Sequence, residues 1–266
     1  MVKKYKLFSV VALFAMTFLL VACQSKSSEQ TTEKPTEQTS EQTTVDKDES
    51  TAGSVKEVLA KLQDAKDDLK SVLVSHQITT TIDDNDLLLG INGEFIFENQ
   101  KTVKADVTLD TLSDEITKTE QYVYDASESN PLYSEITEDG DTKTSYSSNN
   151  IDSVVMPNYF VIANQIVSLE KDLQLIETQS TYELTLKNQD ISLSNQFKEQ
   201  HHIKLNGITE KDLEKDLFIV IDKETNFIQD FNLLMTYDGA KGVQEFDINI
   251  SYSDWNTIDE SLISLP

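Results

Sequence analysis

Apolar and polar positions divide this 266-residue sequence into three zones. An apolar run from Leu7 to Ala22 follows a short basic start, and residues 24–53 then contain almost no large apolar side chain. From Ser54 onward, apolar residues recur with the period of a helix or of a strand. This pattern predicts a leader, a polar linker and a folded part, because only the last zone can bury a core.

The folded part begins with a predicted amphipathic helix of about five turns. Ser54 and Glu57 have the spacing of a capping box, in which each side chain accepts a hydrogen bond from the backbone of the other. One face of this helix carries Val55, Val58, Leu59, Leu62, Leu69, Val72 and Leu73. We expect this face to lie on an apolar surface.

The period then changes from 3.6 to 2 residues, which predicts consecutive antiparallel strands. The first predicted strand carries, on one face, Leu87, Leu89, Ile91, Phe95 and Phe97. The apolar face of the second carries Val103, Ala105, Val107 and Leu109. A third strand is predicted from Ile116, Tyr122 and Tyr124. The Asp139-Gly140 pair predicts a tight turn between strands at 132–137 and 142–147.

A second helix is predicted after Asn158, a suitable N-cap, because Pro157 prevents extension toward the N-terminus. Its apolar stripe consists of Tyr159, Phe160, Ile162, Ala163, Ile166, Val167, Leu169 and Leu173. Further strands are predicted at 182–186, 217–221, 227–237 and 246–252. The strand at 217–221 is apolar on both faces and is therefore expected in the middle of a sheet.

Two segments between these strands have weaker patterns. We expect residues 189–208 to form a loop with a helical turn around Phe197, and Thr209 to open a short helix. The succession of helix, meander, helix and meander predicts an α+β fold. Its simplest form is a single domain, 54–266, in which one curved antiparallel sheet, a half-barrel-like meander, carries the helices on its concave face.

The N-terminal zone has the three parts of an export signal. Lys3, Lys4 and Lys6 form the basic start, and the apolar run is too short to favour a permanent span. The run ends in Leu20-Val21-Ala22-Cys23, and in this the sequence resembles bacterial lipoprotein precursors, whose lipobox ends in the lipidated cysteine. A signal anchor with a buried cysteine near its end is the alternative.

The resemblance implies that residues 1–22 are a signal peptide and that Cys23 is the lipid attachment site, carrying acyl chains such as palmitate. The protein would then be anchored to the cell membrane on its extracytoplasmic face. Two acyl chains, at about 0.8 kcal/mol per buried CH₂, make a stable anchor, whereas one is marginal. Cys23 is the only cysteine, so the domain must be stable without disulfides.

Residues 23–53 would then form a disordered tether rich in Ser, Thr, Gln and Glu. As a flexible coil, its ends would lie roughly 30 Å apart on average, and its stretched length would be about 100 Å. It would hold the folded domain away from the membrane.

The order of signal, lipobox, tether, first helix, meander, inserted helix and second meander resembles that of exported lipoproteins with a LolA/LppX-like half-barrel domain. The sequence looks especially like uncharacterised members of Gram-positive type. The resemblance covers residues 54–255 and is one of architecture, so no binding residue follows from it. Known members carry lipids or lipidated proteins in an apolar cavity between sheet and helices. The resemblance therefore implies an apolar or lipid-like ligand.

The net charge of the chain restricts the classes of binding partner. The sequence has 22 lysines, no arginine and 47 acidic residues, for a net charge of −25, which becomes −28 without the three lysines of residues 1–22. Such a surface repels phosphate backbones and anionic head groups, which argues against nucleic acid and acidic membranes as partners. We expect this acidity to keep the domain soluble and monomeric.

Candidate chemistry is sparse. His76, His201 and His202 lack metal-site spacing and are predicted to be polar surface residues, so no metal site is expected. Ser168 and Lys171 match S-x-x-K without its partner motifs, which favours coincidence. The acidic segments 83–86 and 222–226 lack the glycine and glutamate of a calcium loop and are predicted to be turns.

Three classes of function remain, of which an enzyme is the least supported; we predict no catalytic residue and no cofactor. The favoured class is a membrane-anchored carrier or sensor of an apolar small molecule or lipid, and the alternative is a surface adhesion or interaction module with a filled core. We expect the second helix to form one wall of the ligand cavity. The candidate lining residues are Tyr159, Ile162, Ala163, Ile166, Val103, Val107, Phe231 and Leu233.

Overall fold

The computed structural model describes residues 53–266, except 84, 157, 202 and 206. The predicted signal peptide, Cys23 and the predicted tether up to residue 52 lie outside the described residues. The helices are α1 (Val55–Ala65), α2 (Tyr159–Ser168) and α3 (Leu193–His201). The strands are β1 (Ser71–Ile82), β2 (Asn85–Glu98), β3 (Lys101–Leu112), β4 (Thr117–Asp125), β5 (Leu132–Glu138), β6 (Asp141–Ser147), β7 (Leu173–Glu177), β8 (Thr181–Leu186), β9 (Glu214–Asp222), β10 (Ile228–Gly239) and β11 (Gly242–Ser253).

All the strands of the described residues belong to one antiparallel sheet, in the order β6-β5-β4-β3-β2-β1-β11-β10-β9-β8-β7. Strand β1 joins its two meanders, because Ile78 opposes Leu89 of β2 on one side and Ile248 of β11 on the other. The predicted α+β class, with an open, curved antiparallel sheet and a few helices, is confirmed.

Local sequence signals explain where most elements begin and end. The capping box at α1 is present, with Glu57 N donating to Ser54 Oγ at 3.2 Å and Ser54 N donating to Glu57 Oε2 at 2.8 Å. Asn158 caps α2 by accepting a hydrogen bond from Phe160 N at 2.9 Å. The β5–β6 turn has positive φ at both Asp139 and Gly140, which Gly adopts freely.

The first predicted helix is too long. Helix α1 ends at Ala65, and Leu69, Val72 and Leu73 lie beyond it, the last two in β1. Leucine and valine at these positions fit a helical face equally well, but pairing with β2 and β11 places Val72 and Leu73 in the middle of the sheet. Likewise, Leu173 begins the edge strand β7 instead of extending α2.

The core lies between the concave face of the sheet and the helices that cover it. Strand β9, predicted to be central from residues 217–221, has Leu217, Ile219 and Ile221 fully buried between β8 and β10. Phe197, predicted in a helical turn, is buried in the middle of α3. A side-chain hydrogen bond from Gln165 Nε2 to Gln196 O, at 2.6 Å, joins α2 to α3.

A smaller cluster occupies the convex face, beneath the chain that follows β11. Ile263 packs there on Ile96 of β2 and Val123 of β4. The tail ends at β6, where Tyr146 Oη donates a hydrogen bond to the backbone oxygen of Pro266 at 2.8 Å. The C-terminal segment therefore crosses several strands and holds them from outside.

Candidate functional site

The predicted lining residues of the cavity are mostly inside the core. Helix α2 lies on the concave face as predicted, and Tyr159, Ile162, Ala163 and Ile166 are at most 2% exposed. On the facing strands, Val107, Phe231 and Leu233 are at most 1% exposed. The structure thus brings seven of the eight predicted residues to the same interior.

Aromatic rings fill the space between α2 and the sheet. Tyr159 meets Tyr252 edge to face with 5.0 Å between ring centroids, and Phe160 meets Phe97 in the same way at 5.0 Å. The Tyr159 hydroxyl accepts a hydrogen bond from Ile228 N at 3.1 Å. The cavity beside Tyr159 has a volume of about 10 Å³, which is no more than one water needs.

Val103 lies apart from the other seven. A register shift between Ile96 and Phe97 of β2 makes Thr102 the inward residue of β3, paired with Phe97. Thr102 is buried and donates a hydrogen bond to Asp152 Oδ1 at 2.9 Å, while Val103 packs against the convex cluster around Ile96. A bulge of this kind reverses the side-chain alternation locally, so regular alternation through β3 assigned Val103 to the wrong face.

An open apolar space lies at the other end of the concave face, and we call it the distal cleft. Its inner lobe has a volume of about 310 Å³ and lies between strands β1, β2 and β11 and the end of α3. This lobe is lined by Ile78, Thr80, Ile82, Leu87, Leu89, His201, Lys204 and Phe246.

The outer lobe continues the cleft toward the β3–β4 hairpin and has a volume of about 520 Å³. It shares Thr80, Ile82 and Leu87 with the inner lobe and is bounded by Asn85, Asp86, Ser113, Asp114 and Glu115. Leu87 is 43% exposed, so the floor between the two lobes is an uncovered leucine.

Strand register explains why these side chains converge. Thr80 opposes Leu87 of β2 and Phe246 of β11, and residues directly opposite in an antiparallel pair point to the same face. Ile78 lies two residues earlier in β1 and therefore on the same face. The distal cleft is thus the part of the concave apolar face that α2 and α3 leave uncovered.

Helix α3 forms the inner wall because its own contacts fix it on the sheet. Phe197 is buried against Phe231, with 5.1 Å between ring centroids. The beginning of α3 and the residues before it are also held: Lys215 Nζ donates to Ile191 O at 2.6 Å, and Glu210 Oε1 accepts from Ser194 N at 3.0 Å. These contacts place His201, the last residue of α3, at the edge of the cleft.

Two histidines lie under the inner lobe, which corrects the prediction that His76 and His201 are surface residues. Both are at most 2% exposed, and their rings meet edge to face with 5.3 Å between centroids. Burial lowers the pKa of His76 to about 3, so this imidazole is neutral at ordinary pH. The prediction failed because β1, which carries His76 into the middle of the sheet, was not predicted. His202 lies outside the described residues.

Charge is distributed unevenly around the cleft. The β3–β4 hairpin, in which Ser113 Oγ accepts hydrogen bonds from Glu115 N at 3.3 Å and Ile116 N at 3.1 Å, places the exposed carboxylates of Asp114 and Glu115 at the outer lobe. On the opposite side of the cleft, exposed Lys204 is the one lysine that lines either lobe among the described residues.

No group of three or more histidine, cysteine, aspartate or glutamate side chains that could hold a metal ion occurs within the described part of the chain. In the same residues, no helix has both the length and the apolar character needed to cross a membrane. The acidic segment 222–226 forms the predicted turn, in which Asp222 Oδ1 accepts a hydrogen bond from Thr225 N at 2.7 Å.

Sequence reasoning missed the cleft because it missed one of the strands that form the floor. Leu87 and Leu89 were placed on an apolar face, but Ile78, Thr80 and Ile82 belong to β1, which was not predicted. The run of β-branched residues from Ile78 to Ile82 is the signal that could have identified this strand.

Comparison with known proteins gave matches among solved structures. No protein-family model matches the chain, and no curated protein matches it. LprF from Mycobacterium bovis is a matching solved structure, with 10% identity, coverage of 80% of this chain and 96% of that chain, and a TM-score of 0.45. A DUF1329 family protein from Desulfovibrio piger matches with 6% identity, coverage of 79% and 98%, and a TM-score of 0.26.

A domain from Vibrio parahaemolyticus, named for outer membrane lipoprotein sorting, matches with 6% identity, coverage of 79% and 97%, and a TM-score of 0.27. The resemblance to LolA/LppX-like lipoprotein domains, which follows from the order of the elements, stays a prediction, because the TM-scores of these three neighbours are all below 0.5. Because the sequence identities and TM-scores are low, these neighbours say nothing about a ligand, and the evidence for a ligand site is the geometry of the cleft.

Proposed function

We propose that this protein binds an apolar, acyl-chain-like ligand in the distal cleft. The observation that carries the proposal is the apolar floor of the two lobes, which have volumes of about 310 and 520 Å³. In this floor Leu87 is exposed and Ile82 and Leu89 are half-buried, while Ile78 and Phe246 are buried beneath them. Each lobe falls within the usual size range of small-molecule sites, roughly 300–1,000 Å³. An acyl chain on this floor would gain about 0.8 kcal/mol for each CH₂ removed from water.

The cleft replaces the cavity that we expected beside α2. The predicted lining residues there pack against one another, whereas the cleft exposes apolar side chains that lack cover. Contiguous exposed apolar surface on a strongly acidic, soluble domain is a recurrent mark of a binding site. Carrier and sensor both remain consistent with a single cleft of this kind.

We further propose that the domain, residues 54–266, is held on the extracytoplasmic face of the cell membrane by acyl chains on Cys23. The support is the sequence resemblance at Leu20-Val21-Ala22-Cys23. Labelled palmitate should be incorporated into the wild-type protein, whereas Cys23→Ala should remain unlabelled and be partly shed. Equal labelling of the two proteins would contradict the anchor.

The test of ligand binding uses the full-length protein and N-phenyl-1-naphthylamine, an uncharged apolar probe that fluoresces in apolar surroundings. Wild type should bind the probe, and Leu89→Trp, which fills the inner lobe, should reduce the affinity about tenfold or more. The matched control is Leu234→Trp, because Leu234 is a leucine of β10 that is 37% exposed and lies outside the cleft. Equal probe binding by the two variants would remove the distal cleft as the site.

The filled contact between α2 and the sheet favours a second candidate function, a surface adhesion or interaction module. In that case the protein should not bind the probe at all, and the exposed apolar residues near the cleft would contact a protein partner. Absence of probe binding in wild type, with the protein shown to be folded, would leave this second function as the better account.

A further inference from the structure

We infer that the ligand of the distal cleft is an amphiphile with a cationic polar end, which lies at the β3–β4 hairpin. This inference rests on the proposed function and assigns a chemical class to the ligand. It follows from the charges that border the two lobes, since the apolar floor alone would accept any acyl chain.

The outer lobe has carboxylates and no cation among its described lining residues. Asp114 and Glu115 project from the tip of the hairpin, and Asp86 borders the lobe from β2. The floor between them, with Ile82 and Leu87, is apolar. An acyl chain that lies along the floor toward this hairpin therefore brings its polar end within reach of several negative charges.

The neighbouring lysines do not offset these charges. Lys118, in β4 next to the hairpin, forms an ion pair with Glu120 at 3.0 Å, and this carboxylate also accepts a hydrogen bond from Tyr122 Oη at 2.8 Å. Lys204 lines the inner lobe, on the far side of Leu87 from the hairpin. An anionic end at the outer lobe would thus face carboxylates alone.

The charge of the whole chain acts in the same direction. With a net charge of −25, the protein raises the local concentration of cations and lowers that of anions near its surface. Free fatty acids and anionic phospholipids are therefore disfavoured at the exposed outer lobe. Amphiphiles with an amine or a quaternary ammonium group are the class that both the floor and the rim accept.

The experiment measures displacement of N-phenyl-1-naphthylamine from the full-length protein by dodecylammonium and by dodecanoate, each below its micelle concentration at pH 7.5. The two competitors have the same chain length and opposite charge. At low salt, dodecylammonium should displace the probe at roughly three- to tenfold lower concentration, because exposed ion pairs contribute modestly. The preference should shrink as salt is raised, since salt screens exposed charges.

Two matched double variants separate the hairpin from the overall charge. Asp114→Asn with Glu115→Gln should remove most of the preference for dodecylammonium. Asp64→Asn with Glu128→Gln removes two exposed carboxylates that line neither lobe, and it should retain the preference. Equal preference in the two double variants would overturn the assignment of the cationic end to the hairpin.

Failure of the inference and failure of the proposed function give different results. If dodecanoate displaces the probe as well as dodecylammonium does, and Leu89→Trp still weakens probe binding, the cleft binds apolar chains without the inferred selectivity. If wild type binds no probe, or Leu89→Trp has no effect, the proposed function itself fails. If dodecanoate displaces the probe at a lower concentration than dodecylammonium does, and Lys204→Gln removes that advantage, the polar end lies beside Lys204 and the inference is wrong.

Discussion

The imidazole of His76 meets that of His201 edge to face, with 5.3 Å between ring centroids, although β1 and α3 lie in different halves of the chain. His201 also lies parallel to Phe231, at 6.0 Å between centroids. The pair joins the middle of the sheet to the helix that walls the distal cleft. The protonation state of His76 therefore bears on the stability of the core.

The first prediction is that His76 makes the domain sensitive to acid. Burial lowers the pKa of His76 to about 3, whereas an unfolded histidine has a pKa of about 6.5, so between these pH values the unfolded state binds more protons. The contribution of His76 to stability is thus complete above pH 6.5 and is lost as pH falls toward 3. At pH 4.5 the loss should be about 2–3 kcal/mol relative to pH 7.5.

Urea unfolding, followed by the fluorescence of the single tryptophan at pH 7.5, 5.5 and 4.5, measures this loss. His76→Phe keeps a ring of similar size without the titrating group, so its stability should fall less over the same range. If the two proteins lose stability in parallel, His76 is not the group responsible.

The second prediction concerns the filled contact of α2. Ala163 is fully buried against the sheet, so Ala163→Trp should overpack the core and lower the free energy of unfolding by about 1–3 kcal/mol. Val161→Trp is the matched control, because Val161 lies in the same helix and is 36% exposed. An Ala163→Trp protein as stable as wild type would show that a cavity beside α2 admits the indole ring.

The third prediction uses two glycines of β2. A Cβ at Gly93 would lie 2.8 Å from Val107 Cγ2 and 2.9 Å from the backbone oxygen of Asp106, so β3 would have to move. A Cβ at Gly90 would have Asp110 Cβ as its nearest neighbour, at 4.0 Å. Gly93→Ala should therefore destabilise the domain by about 1–3 kcal/mol. Gly90→Ala should leave the stability almost unchanged. Thermal unfolding of both variants measures the difference, and equal destabilisation by the two substitutions would contradict this packing of β2 on β3.

The fourth prediction concerns the convex cluster. Ile263 is 2% exposed and packs on Ile96 and Val123, so Ile263→Ala should cost about 2 kcal/mol, the low end for a buried isoleucine. Its neighbour Leu262 is 77% exposed, and Leu262→Ala should have little effect. Hydrogen exchange should show loss of protection in the tail and in β4 for Ile263→Ala alone. Unchanged exchange in that variant would mean that the tail does not stabilise these strands.

Much of the fold follows from local patterns. The alternation in β2, β10 and β11, the Asp139-Gly140 turn and the caps at Ser54 and Asn158 each depend on neighbours in sequence, and each is present. The β-branched run from Ile78 to Ile82 marks the end of β1, but the start of β1 could not be recognised from local sequence. Val72 and Leu73 satisfy a helical face as well as a strand. Pairing with β2 and with β11, the latter at the other end of the chain, decides between the two.

The candidate site was harder to predict than the fold. Which part of the sheet stays exposed depends on where the helices end, and local sequence patterns do not give that position. Ile162 and Phe231, whose apolar side chains require burial, are both fully buried in the same core cluster. Leu87 stays exposed because α3 ends at His201, and where α3 lies depends on long-range contacts such as that of Phe197 with Phe231. A bulge in the pairing of β2 with β3 also cannot be predicted from alternation alone. Because of it, Thr102 points to the concave face and Val103 to the convex face.

The pairing of β1 with β11 has a consequence for how the chain reaches its native state. Leu73 opposes Ser253, so the first strand cannot gain its second neighbour until the last one is present. Closing so long a loop is slow, and until then β1 presents an unpaired edge of twelve residues. A chain whose residues 242–253 have not yet been synthesised therefore stays incompletely folded. If the N-terminal signal acts as proposed, this delay would keep the chain in the extended state in which it can still be threaded through a membrane.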